Sequence, residues 1–333
     1  MDSQHEDLAG GKRRLVITRM TLALTLTVLL GLSFSLQNAN REVALANGKH
    51  NLESPSVSQS GSTPTNSSSS TPSSTPTTQP TSPAALAALQ LIQDHQRAAG
   101  CAFNSSPTAT TKSLGTCKIL LIGDSLGNNL GYGMKGQISY KHSLNFVLRA
   151  KASTGLSNSW FYNWPNNLKT MLKYDKPNLV VVFLGANDRQ NMKVDGKILT
   201  FGTTSWKRAY AASITKVTNL ATAAGSYVLW VGLPIMKPFN YNAGMAVITS
   251  LYAKSVPAVA GGSTVAIWNY FADSRGNYRA YARVNGVNTK VRGTDGIHFT
   301  QVGQNVVATY VIKKIASIYH VNLTSSSPRI MSR

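Results

Sequence analysis

From Cys117 onward, short apolar runs alternate with longer stretches whose apolar residues recur at helical spacing. Lys118–Ile122 is a brief apolar run ending in Gly123, and Asn145–Lys151 is a second. Leu179–Leu184 reads Leu-Val-Val-Val-Phe-Leu, apolar at every position. A strand shows that pattern when helices cover both faces of a parallel sheet. Tyr227–Val231 and Thr264–Trp268 complete the set, and Ser205–Ala224, Asn242–Val259 and Gln301–Tyr319 read as helices between and after them. The alternation predicts an α/β domain over 117–320: a flavodoxin-like three-layer sandwich with a central parallel sheet of about five strands. The rhythm breaks at Asp273–Gly293. There Val284-Asn285-Gly286-Val287 predicts a tight hairpin, and Tyr278, Arg279, Tyr281 and Arg283 make it basic and aromatic. The chain shows no internal repeat.

Ahead of the domain the pattern differs. Residues 84–116 form a lead-in, with Leu86, Leu89, Ile92 and Gln93 at helical spacing within Ala84–Ala99. Ser54–Pro83, within a spacer over 37–83, is almost wholly Ser, Thr, Pro, Gln and Gly. It has too little to bury and reads as an extended tether. Residues 15–36 are an apolar run interrupted by Arg19, behind a basic head at 1–14 that holds Lys12, Arg13 and Arg14. Its length suits a membrane span, and the preceding positive charge would put the N-terminus in the cytoplasm. The expectation is a single-pass cell-membrane anchor with the folded domain outside. The alternative is a signal segment cleaved near Ala44-Leu45-Ala46, leaving a secreted or periplasmic protein. Residues 321–333 are a tail.

The net charge of +21 arises from scarce carboxylates. Glu6, Glu42 and Glu53 are the only glutamates, and Cys117–His320 holds six aspartates against 23 lysines and arginines. Mechanisms built on paired carboxylates therefore have few candidates. A basic surface attracts an anionic envelope polymer, anionic lipid or nucleic acid without choosing among them, and equally serves solubility. Cys101 and Cys117 lack the nearby histidine pairs of a zinc site. In an exported domain they would pair, stapling the lead-in to the first strand for about 3 kcal/mol; free thiols are the other reading.

In an open parallel sheet the ligand crevice lies beyond the carboxyl ends of the strands. The first strand ends in Gly123-Asp124-Ser125-Leu126, the second is followed by Ser153-Thr154-Gly155-Leu156-Ser157, and the third ends in Gly185-Ala186-Asn187-Asp188. Asp295-Gly296-Ile297-His298 precedes the last helix. These residue types suit acyl transfer. A serine hydroxyl needs a base to take its proton, and His298 can serve Ser125. Asp295 can hold the imidazole in one tautomer. The backbone N–H groups of Ser125 and Gly155 and the side-chain amide of Asn187 can meet an oxyanion, and glycine at 155 keeps a side chain out of the way. Asp124 and Asp188 read as braces of their turns. Arg189 is either a contact for an anionic or sugar substrate or a solvated surface arginine. Trp160, Phe161, Tyr162 and Trp164 offer an apolar or sugar-stacking wall, with core packing the default reading.

In this order and spacing the four segments resemble the SGNH hydrolase superfamily, the GDSL-type lipases and esterases, over roughly Cys117 to Tyr319. The family's blocks align with Gly123–Leu126, Gly155, Gly185–Asp188 and Asp295–His298. The chain departs from the fuller Gly-x-Ser-Gly-like context of the second block, offering Thr154-Gly155-Leu156-Ser157. Gly232-Leu233-Pro234 and Arg189-Gln190 look closest to a bacterial exported branch whose members are uncharacterised. The resemblance implies Ser125 as nucleophile, Asp295 and His298 completing a triad, oxyanion donors at Ser125, Gly155 and Asn187, and no metal or organic cofactor.

The expected activity is a serine esterase acting on short O-acyl esters, on an acylated carbohydrate of the cell envelope or on a small ester. One alternative is an O-acyltransferase to a sugar hydroxyl, which would need a membrane acyl-donor protein. Another is a non-catalytic basic module binding anionic polymer, with nucleic acid the lesser candidate.

Overall fold

The computed structural model describes residues 82–101, 103, 117–138 and 144–321. All of them fall in one compact unit, Pro76–Arg333. In chain order the strands are β1 (Cys117–Gly123), β2 (Leu144–Ala150), β3 (Leu179–Phe183), β4 (Met192–Val194), β5 (Lys197–Leu199), β6 (Tyr227–Val231), β7 (Gly262–Val265), β8 (Tyr281–Val284) and β9 (Val287–Lys290). The helices are α1 (Pro83–Ala98), α2 (Ser125–Ile138), α3 (Trp164–Asp175), α4 (Thr204–Ala223), α5 (Phe239–Ser255) and α6 (Gln301–Ile318).

Five strands form one sheet in the order β2-β1-β3-β6-β7, and every pair in it is parallel. Leu120, Leu121, Val180, Val181 and Val182 are fully buried, as expected of strands covered on both faces. Helices α2 and α6 pack together as one layer, while α3, α4 and α5 pack in a row as the other. The buried residues of α4 run Trp206, Tyr210, Ile214, Val217 and Ala221, those of α6 Val307, Val311 and Ile315. These spacings of three and four residues line one helix face. Side chains of Asn163, Thr203 and Thr300 cap α3, α4 and α6 by accepting from the N–H three residues on.

β2 and β3 flank β1 on opposite sides, so the strand order reverses between β1 and β3. Gly123 at the end of β1 sits in register with Ala150 of β2 and Phe183 of β3. In an open parallel sheet a ligand crevice is expected at such a reversal, beyond the carboxyl ends of the strands.

The other end of the sheet is closed by α1. Its Ile92 is fully buried, and the Gln96 side chain donates to the Asn178 carbonyl at 3.0 Å. Cys101 and Cys117 form a disulfide that ties the end of α1 to the start of β1. Ser82 caps α1 and Pro83 opens it, one residue before the expected start.

Other boundaries shifted too. β7 ends at Val265, and Ala266–Trp268 leave the sheet before a short 3-10 turn at Asn269–Phe271. α5 starts three residues early, at Phe239, and ends at Ser255. The hairpin β8–β9 turns at Asn285-Gly286, both at positive φ, where the Asn-Gly pair predicted it. A second hairpin, β4–β5, was not anticipated. Asp195-Gly196 makes the same turn, with φ of 47° and 80°.

The expectation of a membrane-anchored protein is corrected. No helix among the described residues is long and apolar enough to cross a membrane. A span needs about 20 consecutive apolar residues, and the longest helix here, α4, carries Lys207, Arg208 and Lys216. The candidate span at 15–36 lies outside the described residues, as do the basic head, the spacer up to 81 and the tail from 322. The transmembrane assignment and the cell-membrane location are withdrawn on the finding for the described helices.

Candidate active site

Ser125 is the first residue of α2, immediately after the β1 turn. His298 sits in the loop before α6, and its Nε2 lies 2.8 Å from Ser125 Oγ. His298 Nδ1 lies 2.6 Å from Asp295 Oδ2. The other Asp295 oxygen accepts from the N–H of Ile297 at 2.9 Å and of His298 at 3.0 Å. Burial pushes the Asp295 carboxyl up, but the bond from the His298 ring and those two N–H groups outweigh it. The acid is held below its usual range and stays ionised. The His298 and Asp295 side chains are 40% and 45% exposed, so the site opens directly to solvent.

Two buried aspartates build the floor. Asp124 is fully buried, and one oxygen accepts from Leu126 N–H while the other accepts from Ala186 N–H, each at 2.9 Å. It thus bridges the turns after β1 and β3 across the crevice. Burial pushes its carboxyl up to about 7, against the pull of those N–H groups. Asp188, also fully buried, accepts four bonds: from the N–H and hydroxyl of Ser157, from Leu156 N–H and from the Tyr210 hydroxyl at 2.7 Å. Burial pushes its carboxyl up above the usual range, and the Ser157, Leu156 and Tyr210 bonds oppose that rise without cancelling it. A methyl group on Gly155 would lie 2.0 Å from Asp188 Oδ1, so only glycine allows the second and third loops to close on each other.

Asn187 is half-buried at the mouth, with its side-chain amide donating to the Thr154 carbonyl at 2.9 Å. Its second N–H remains for a ligand. Thr154 is held by its own hydroxyl, which donates to the Lys151 carbonyl and accepts from Trp164 Nε1. Gly185 takes a φ of 112°, a region open to glycine, and turns the chain beneath Asn187. The Tyr241 hydroxyl of α5 donates to the Ala186 carbonyl in the same turn. Arg189 is exposed and lies over the Phe201 ring at 6.0 Å.

Ser125, Gly155, Asn187, Asp295 and His298 therefore sit on four loops at one end of the sheet, with Asp124 and Asp188 as links beneath. The aromatic set divides. Trp164 is fully buried in the core, whereas Trp160 is 82% exposed and Phe161 half exposed. Among the described residues no group of three His, Cys, Asp or Glu could hold a metal ion.

Several supports had no local signal in the sequence. Tyr210 also bonds the Tyr252 hydroxyl, which donates to the Leu184 carbonyl, so α4 and α5 reach the site through two phenols. Asn129, one helical turn past Ser125, accepts from Phe299 N–H at 3.0 Å and pins the histidine loop to α2. Arg292 lies wholly buried under that loop. Asn129 alone was findable, since i and i+4 share a helix face.

Fold and site together define an α/β domain with a hydrogen-bonded Ser-His-Asp set at the topological switch point of its sheet. The family described as "Protein of unknown function (DUF459)" matches residues 118–314, and the chain belongs to it. No curated protein matched the sequence. Among solved structures, an α/β hydrolase enzyme from the metagenome of Lake Arreo, Spain, is similar at 15% identity and a TM-score of 0.44, covering 61% of this chain and 96% of that one. The lipopolysaccharide acetyltransferase periplasmic domain of Salmonella ser. Paratyphi A is similar at 16% identity and a TM-score of 0.43, covering 68% and 93%. An acetyl xylan esterase from Geobacillus stearothermophilus is similar at 14% identity and a TM-score of 0.40, covering 60% and 94%.

Proposed function

We propose that this domain is a serine esterase that cleaves O-acyl esters through an acyl-enzyme on Ser125. The observation that carries the reading is the continuous bonding from Ser125 Oγ through His298 to Asp295, at 2.8 and 2.6 Å. In this reading Ser125 Oγ attacks the ester carbonyl while His298 Nε2 takes its proton, and Asp295 stabilises the imidazolium. The backbone N–H groups of Ser125 and Gly155 and the free N–H of Asn187 receive the oxyanion, aided by the positive N-terminal end of α2. Collapse expels the alcohol, which leaves with the proton from His298. Water activated by His298 then attacks the acyl-enzyme, releasing the acid and restoring Ser125.

The open setting of the triad suits a short acyl group on a bulky alcohol such as a carbohydrate, because the alcohol need not enter a cavity. The disulfide fits an oxidising compartment, where an envelope carbohydrate would be met.

The test uses the full chain, a short-chain aryl ester and an active-site serine probe. Hydrolysis with labelling at Ser125 supports the reading, and neither event with folded protein sinks it. An added oligosaccharide acceptor that gains acyl mass at the expense of free acid would make the enzyme a transferase instead. Salt-sensitive binding to anionic polymer without turnover would favour a basic binding module.

A further inference from the structure

Arg292 is fully buried, yet among the described residues no carboxylate bonds its guanidinium. Its Nη1 donates to the Ile235 carbonyl at 2.7 Å. Its Nη2 donates to the Ile297 carbonyl at 2.9 Å and, at 3.3 Å, to the Gly296 carbonyl and Met236 Sδ. The rings of Phe299, Tyr278 and Phe271 stand 4.9, 5.2 and 5.7 Å from its central carbon. Backbone carbonyls and π faces thus take the place of a counter-ion.

A charge buried without an ionic partner is costly, and an apolar side chain of similar volume would fill the space without that cost. What an apolar residue could not supply is the planar fork, whose donors reach two separate segments at once. One segment is Ile235–Met236, after β6. The other is Gly296–Ile297, the two residues that join Asp295 to His298. Besides the His298–Ser125 bond, the loop is tied to the body by Lys237 N–H to the Gly296 carbonyl and by Phe299 N–H to Asn129, and its stem is held by Gly293 N–H to the His298 carbonyl and by Thr300 to the Val291 and Lys290 carbonyls.

We propose that Arg292 is a positioning residue for the reaction: its guanidinium fixes the Asp295–His298 loop against the β6 loop and so sets the distance from His298 to Ser125. The catalytic half of this statement rests on the esterase reading; the positional half does not. A misplacement of about 1 Å at a base costs on the order of 10²-fold in rate.

The test compares full-length wild type, Arg292→Met and Arg292→Lys by thermal melting, amide hydrogen exchange and steady-state hydrolysis of an aryl ester. Expected in folded Arg292→Met is faster exchange confined to residues 293–300, where the N–H groups of Gly293, Gly296 and Thr300 are bonded in place. Its kcat falls about 10²-fold with KM nearly unchanged, since the loop positions the base rather than the substrate. Arg292→Lys keeps the charge and one donor direction, and recovers part of kcat. Unchanged exchange at 293–300 overturns the proposal, as does a loss of kcat that only tracks the unfolded fraction. If Arg292→Met does not fold, Arg292→Lys carries the same two readings against wild type. If the wild type does not hydrolyse the ester, the esterase reading falls alone, and exchange still decides the positioning role.

Discussion

The two ends of the same sheet are closed by different chemistry. At the amino ends of the strands, α1 seals the core with Ile92, a hydrogen bond from the Gln96 side-chain amide to the Asn178 carbonyl and the Cys101–Cys117 disulfide. At the carboxyl ends the loops are joined by buried ionisable groups: Asp124 between the first and third, Asp188 between the second and third, and Arg292 between the β6 loop and the histidine loop. Neutral and covalent closure tolerates small shifts. A buried carboxylate with four donors, or a guanidinium with a fixed fork, does not, because any donor left unpaired costs about 1–3 kcal/mol. Rigidity at the mouth is thus obtained at a cost in stability, and the staple lies at the opposite end.

That contrast predicts separable effects on activity and stability. Ser125→Ala or His298→Ala should reduce ester turnover by about 10⁴-fold or more while the melting curve stays close to wild type, since neither side chain holds the core. Retained turnover in either variant would remove the triad reading. Asp188→Asn should affect both properties. An amide cannot accept from Leu156, Ser157 and Tyr210 together, so stability should fall by about 3 kcal/mol and kcat by about 10²-fold. Denaturant melts and single-substrate kinetics measure the two. A stable, slow Asp188→Asn would mean that the loops close without the carboxylate. The paired change Cys101→Ser with Cys117→Ser should lower stability by about 3 kcal/mol and leave kcat unaltered at temperatures where the protein is folded. A matching loss of kcat would show the two ends to be coupled.

The last prediction concerns pH dependence. Asp124 has a folded value of about 7, above its ordinary 3.8. Between those limits the folded state keeps a proton that the unfolded chain releases, so this aspartate's contribution to stability falls as pH rises through the window. Asp188 is shifted in the same direction. Asp295 acts oppositely: its contribution is present above its ordinary value and is lost as pH falls below it. Thermal midpoints should therefore decline from about pH 4.5 to about pH 7, with the slope reduced in Asp124→Asn. Parallel slopes in both proteins would exclude Asp124 as the source.

Local patterns were readable where a residue's conformation depends on its neighbours in sequence. The apolar run at Leu179–Leu184 marks the central strand, and Asn285-Gly286 marks the β8–β9 turn. Asp195-Gly196 carries the same turn signal, but β4 and β5 have three residues each, too few to show an alternating strand pattern. The segments after the strands were likewise visible as candidate site loops. Trp160 and Trp164, four residues apart, show the limit. The sequence treats them alike, yet one is exposed at 82% and the other has no exposure at all.

The sequence by itself determined the order of strands and helices, the four polar segments that follow them and the residue types available for acyl transfer. These follow from period, turn propensity and side-chain chemistry, all of which act over a few residues. Only the tertiary structure decided that Asp188 would gather four donors, that Tyr210 and Tyr252 would reach the third loop, and that Arg292 would bond the Ile235 carbonyl after β6. Such partnerships join residues 22 to 68 positions apart. They depend on which chain segments the sheet order makes neighbours, and that order is a property of the whole packed core.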